Sequence, residues 1–102
     1  MLIRLLMMNV VPDRLEEWKR YTREVGFPSM RAQPGCRSVS RLQNCGGEPS
    51  HAIMTVWDDL ESLERFKCGP APAELAKLAQ GLTVRPYSEL LFDVLDDGET
   101  LP

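Results

Sequence analysis

The chain is poor in several things, and each scarcity removes a class of function. Its three cysteines, Cys36, Cys45 and Cys68, are an odd number, and no C-x-x-C spacing occurs. That argues against a disulfide framework or a zinc site and for reduced thiols in a cytoplasmic protein. No run of five like charges is present, and 12 basic against 15 acidic residues leave a net charge of -3. Without a basic stripe, nucleic acid is not an expected partner. No apolar run is long enough to span a membrane. The opening MLIRLLMMNVV resembles a secretory h-region in hydrophobicity alone. Arg4 interrupts it, no A-x-A cleavage site follows, and an amphipathic helix starts at once, so a buried first strand is expected instead.

What is present is the composition of a globular domain, with 43% hydrophobic and 26% charged residues in 102 positions. A chain this short buries only roughly 60–65% of its unfolded surface, so a second subunit would add useful core. One domain over residues 1–95 is expected, with a polar tail over 96–102.

Residues 2–11 are nearly all apolar, as in a strand covered on both faces. Pro12 then suits a helix start, and Asp13 with Glu16 fits a capping box. Leu15, Trp18, Thr22 and Val25 recur at helical spacing and should face a core. Gly26 and Pro28 weaken this helix, leaving "FPSMRAQ" as an irregular turn or a short extra helix. The "QPGC" turn leads into an alternating strand over 36–43. There Arg37, Val39 and Arg41 share one face, and Cys36, Ser38, Ser40 and Leu42 the other. The "NCGGEPS" loop makes a hairpin to a strand over 51–57. In "MTVWDDLESLERF" that strand ends at Trp57 and a helix begins. Asp58 and Glu61 give a second D-x-x-E signal, and Leu60, Leu63 and Phe66 form a short buried stripe. Gly69 and Pro70 break the helix. A further helix over "AELAKLAQGL" directs Leu75, Leu78, Ala79 and Leu82 inward and ends near Gly81. "YSELLFDVL" alternates as a last strand.

The order strand, helix, strand, strand, helix, strand is that of the split βαβ, ferredoxin-like unit, an α+β fold with helices on one face of the sheet. The bare face needs a cover, and a second copy of the same sheet is the simplest.

Candidate functional residues follow from chemistry and period. His51, the lone histidine, is the best general base by its ordinary pKa. It shares a strand face with Ile53, Thr55 and Trp57, but lies about 20 Å along the strand from Trp57. Trp57 itself reads as core or as a pocket wall. Arg4, the odd charge in β-like apolar sequence, shares a face with Leu2, Leu6 and Met8. It requires a carboxylate such as Glu89 or Asp93, or binds an anionic ligand. Tyr21, Tyr87 and Trp18 read as packing.

The segments "VVPDRLEEW", "QPGCRSVSRL" and "MTVWDDLESLERF", together with the element order, resemble the antibiotic biosynthesis monooxygenase family of dimeric α+β barrels. The resemblance covers most of residues 2–95. In haem-degrading members an Asn, a Trp and a His build the site. The corresponding positions here are Leu6, Phe66 and Ala76, and the missing His removes the iron ligand. Other members oxidise polyphenols to quinones without a cofactor: the phenol loses a proton and its anion reacts with oxygen. Their Trp corresponds to Trp57, their Asn to Ile53, their Tyr to Leu63, and an Arg lies near Lys77. The resemblance therefore implies a cofactor-independent, homodimeric monooxygenase for an aromatic or polyphenolic molecule, with no metal. Trp57, Lys77 and His51 are the catalytic candidates. Arg4, Leu6, Ile53, Leu63 and Phe66 are the substrate-binding candidates. A non-catalytic small-molecule-binding or dimerisation module of the same fold is the alternative.

Overall fold

The apolar opening segment forms β1, Leu2–Val10. It lies inside a four-stranded sheet with β2 (Cys36–Gln43), β3 (His51–Trp57) and β4 (Thr83–Asp93), in the order β2-β3-β1-β4. Every neighbouring pair is antiparallel. This computed structural model describes residues 1–96 and Gly98; the rest of the expected polar tail lies outside the described residues. The fold is the expected α+β, ferredoxin-like arrangement with helices on one face.

The first helical segment is more broken than its periodicity suggests. Pro12–Arg14 form a 3₁₀ turn, followed by α1, Leu15–Tyr21. Asp13 does not cap it: the N-cap position falls on Val11, which has no side-chain acceptor, and the Val11 carbonyl accepts the Arg14 N–H at 2.9 Å. A π-helical turn, Thr22–Gly26, then leads into α2, Phe27–Arg31. The wider turn resets the phase of the buried stripe. Trp18 and Thr22 are buried as expected, but Val25 rotates outward to 38% exposure and Met30 is the next buried residue.

A second departure lies in β2. A bulge between Cys36 and Ser38 puts Cys36 and Val39 against the same core, whereas simple alternation assigned them opposite faces. The Pro34-Gly35 turn before it is fixed by close approach. Gly35 has φ +84, and a Cβ there would collide with the Ser62 side chain. Its carbonyl accepts the Asp58 N–H at 2.8 Å.

After Trp57 comes α3, Leu60–Cys68. Asp59, not Asp58, is its cap: its carboxylate accepts the Ser62 N–H at 2.8 Å. Asp58 instead pairs with Arg37. Leu63 and Phe66 are buried as expected, while Leu60, on the first turn, is 50% exposed. In α4, Ala71–Leu78, the chain turns away before Leu78 can reach the core, and Leu78 is exposed. Gly81, at φ +85, reverses the chain so that Leu82 points back and is buried. β4 starts earlier than expected and contains Pro86. An edge strand tolerates this, and the register shifts at Met7/Asn9.

Two buried clusters lie between helices and sheet. One joins Leu2, Met30, Trp57, Leu63 and Phe66. The other joins Met8, Val10, Trp18 and Leu82. The opposite sheet face has no cover in the monomer. There β1 places Ile3 and Leu5 beside Val56 and Met54 on one side and Phe92 and Leu90 on the other. β1 is thus covered on one face only.

Candidate functional site

Between the two clusters is a cavity of about 310 Å³. Its floor is the alternating set Arg4, Leu6 and Met8 of β1 with Ile53 and Thr55 of β3. One wall comes from the broken first helix: Trp18, Tyr21, Thr22, Gly26, Phe27 and Met30. The π turn matters here, because it brings Gly26 and Phe27 to the wall in place of Val25. Phe66 and Lys67 of α3, Pro72, Leu75 and Ala76 of α4, and Ala79 at its C-terminal cap close the other side, the last four by helical spacing. Thr83, Arg85 and Tyr87 of β4 complete the edge.

The polar groups are few and mostly committed. The Tyr21 hydroxyl donates to the Leu75 carbonyl at 2.8 Å and ties α1 to α4. Burial, and then the neighbouring Tyr87, push the Tyr21 pKa up, so the phenol stays neutral. Its oxygen keeps lone pairs to offer a ligand hydroxyl. Thr83 and Tyr87 share a hydrogen bond between their hydroxyls. On the far side of α1, Arg41 of β2 donates to the Lys19 carbonyl at 2.7 Å and the Thr22 hydroxyl at 2.8 Å, fixing the π turn to the sheet.

Arg4 donates from Nε to Glu89 at 2.6 Å, and Lys67 donates to the same carboxylate at 2.8 Å. Burial raises the Glu89 pKa, but the hydrogen bonds from Lys67 and Arg4 outweigh it and hold the carboxyl below its ordinary value. Of the two partners expected for Arg4, Glu89 is the one that meets it. The strands themselves are neighbours, with Leu6 opposite Glu89.

Arg4, Leu6, Ile53 and Phe66 all line the cavity. The other sequence candidates do not. Leu63 is fully buried behind the wall. Trp57 is also fully buried; its indole N–H donates to the Thr55 hydroxyl at 2.8 Å and its ring tilts against Phe66 at 5.4 Å. It therefore supports two wall residues from behind and does not border the cavity. Lys77 is exposed, about 100° around α4 from Ala76, and faces away. His51 sits against Trp18, ring centroids 5.0 Å apart, with Nδ1 2.8 Å from the Ser50 hydroxyl. Burial, and then Lys19, lower its pKa. It reaches the cavity only through Trp18. Phe27, Lys67 and Arg85 line the wall without having been singled out by the sequence, and Tyr21 and Tyr87, which read as packing, line it too. Tyr21 lies one helical turn after Trp18, and Tyr87 lies two residues before Glu89 on one strand face. Those spacings were the available signals.

The cavity lining contains no His, Cys, Asp or Glu. Among the described residues no cluster of three such side chains could hold a metal ion. No helix among them is long and apolar enough to cross a membrane.

Comparison with known proteins agrees with the fold. The family described as antibiotic biosynthesis monooxygenase matches residues 1–77. No curated protein matches the chain. Among solved structures, MhuD of Mycobacterium tuberculosis, a heme-degrader with two hemes bound in its active site, superposes with a TM-score of 0.77 at 23% identity. The match covers 97% of this chain and 100% of that one. Rv0793, also from Mycobacterium tuberculosis, gives a TM-score of 0.72 at 16% identity, covering 96% and 98% of the two chains.

Proposed function

The chain belongs to the antibiotic biosynthesis monooxygenase family, and from that premise we propose that it oxidises an aromatic or polyphenolic small molecule with dioxygen, without metal or flavin. The observation that carries this reading is the cavity itself. At about 310 Å³ it falls at the small end of the roughly 300–1,000 Å³ typical of small-molecule sites, with the expected apolar walls and few polar groups. Phe27 and Phe66 offer faces for an aromatic ring. Tyr21, its own hydrogen committed to Leu75, offers an acceptor to a phenolic hydroxyl.

The chemistry balances without a further reductant. The phenol gives up its proton to solvent at the cavity mouth, and the anion passes electrons to dioxygen. A C–O bond forms at a ring carbon bearing hydrogen. The O–O bond then breaks as water leaves, carrying one oxygen with the ring hydrogen and a proton returned from solvent. Phenol and dioxygen become quinone and water. The protein's part is to orient the ring, exclude bulk water and favour the anion.

Haem does not fit these residues. Leu6 offers no hydrogen bond, Ala76 no iron ligand, and the single histidine lies behind Trp18. A second reading, a binding module without catalysis, is favoured by one observation: Trp57, Lys77 and His51 all stand outside the cavity lining. We also propose a homodimer through the open sheet face, and a cytoplasmic setting, which three free thiols support.

Oxygen consumption with a panel of hydroxynaphthalenes and hydroxyanthracenes separates the two readings. The oxygenase reading expects uptake with quinone formation. Tight binding of the same compounds without uptake selects the binding module.

A further inference from the structure

We infer that the cavity takes an aromatic molecule bearing a carboxylate, held at the β4 edge by Arg85, the lining cation without a carboxylate partner among the described residues. The inference rests on the reading of the cavity as an aromatic-ligand site and specifies the charge of what enters it. Three cations line the cavity and no carboxylate does. Glu89, just outside the lining, is shared by two of them, Arg4 at 2.6 Å and Lys67 at 2.8 Å. Arg85 makes no ion pair among the described residues; its guanidinium lies 5.2 Å from the centre of the Tyr87 ring. One carboxylate therefore answers two of the three cations and leaves Arg85 without one.

An apolar ligand closing over this edge would strip water from charge that lacks a partner, which is costly. A ligand that brings its own carboxylate removes that cost and gains charge-assisted hydrogen bonds. β4 is the sheet edge and Arg85 is exposed. The apolar body can therefore lie between Phe66 and the floor while the anionic group remains near the mouth. Glu89 is the resident counterion in this arrangement. Its negative charge repels an anionic ligand, so it tunes affinity for anions and leaves affinity for neutral rings alone.

Naphthoate and naphthamide share a ring and nearly a shape but differ in charge. Calorimetric titration of the full chain at neutral pH should show naphthoate binding about tenfold more tightly, the scale of one charge-assisted hydrogen bond. Added salt should weaken naphthoate and leave naphthamide unchanged. Arg85→Gln should bring the two affinities together, and Glu89→Gln should strengthen naphthoate alone, with far-UV circular dichroism confirming the fold of each variant. Equal affinities in the unaltered protein overturn the inference while leaving the aromatic site in place. Binding of neither probe overturns both. A naphthoate preference without oxygen uptake from any phenol supports the inference and removes the oxygenase reading.

Discussion

At the scale of single residues, Trp57 shows how a conspicuous side chain can be structural. It is fully buried, and its N–H is satisfied by Thr55. Trp57→Ala should therefore cost about 3–5 kcal/mol in urea unfolding, the range for a deleted buried aromatic. Trp57→Phe should cost much less, since it keeps most of the apolar volume. An unfolding midpoint unchanged by Trp57→Ala would contradict the packing role. His51 gives a pH signature. Its pKa is lowered from the ordinary 6.5, so the unfolded chain binds the proton more readily. Its contribution to stability is present above 6.5 and is lost as pH falls toward the depressed folded value. The stability difference between the native chain and His51→Gln should shrink over that interval, as denaturant melts at several pH values would reveal. A difference that does not change with pH would contradict the burial of His51. Strand residues of the site were readable from sequence, because alternation puts Arg4, Leu6 and Ile53 on one face. Lys67, Arg85 and Tyr87 were not, because each depends on how two elements meet: the end of α3 against β4, and β4 against β1.

At the scale of elements, the existence and order of strands and helices were legible, and their phases were not. The β2 and β3 boundaries matched, since the Pro34-Gly35 turn, the Gly46-Gly47 loop and the Asp58-Asp59 helix start punctuate them. The phase of the first helix failed at the π turn, because an extra residue in a turn leaves no mark in the hydrophobic pattern. The face of Cys36 failed for the same reason at a β-bulge. The adjacent Asp58 and Asp59 were indistinguishable by type, and backbone geometry chose between them. Asp59 has extended backbone and accepts the Ser62 N–H and hydroxyl, each at 2.8 Å. Those two bonds from Ser62 lower its pKa. Asp59→Ala should lose stability in urea unfolding, the usual effect of removing a cap. Asp58→Ala, which breaks only an exposed pair with Arg37, should lose less, because such surface pairs contribute roughly 0–1 kcal/mol. Equal losses would mean that the cap is assigned wrongly.

At the scale of the whole molecule, one sheet face packs on helices and encloses the cavity, and the other is apolar and open. Leu42, Leu90 and Phe92 are 37%, 45% and 52% exposed, which a monomer of this size would not ordinarily leave uncovered. Light scattering should give about twice the 11.6 kDa chain mass; a monomer at micromolar concentration would contradict the proposed dimer. The proposed oxidation of an aromatic compound takes place inside the cavity between helices and sheet. The sharpest test is oxygen uptake with the hydroxynaphthalene panel by the native chain and by Ala79→Trp, which fills the cavity from the C-terminal cap of α4. Uptake with quinone formation is expected of the native chain and should be lost in a folded Ala79→Trp. No uptake by the native chain, or uptake that survives the filled cavity, would contradict it.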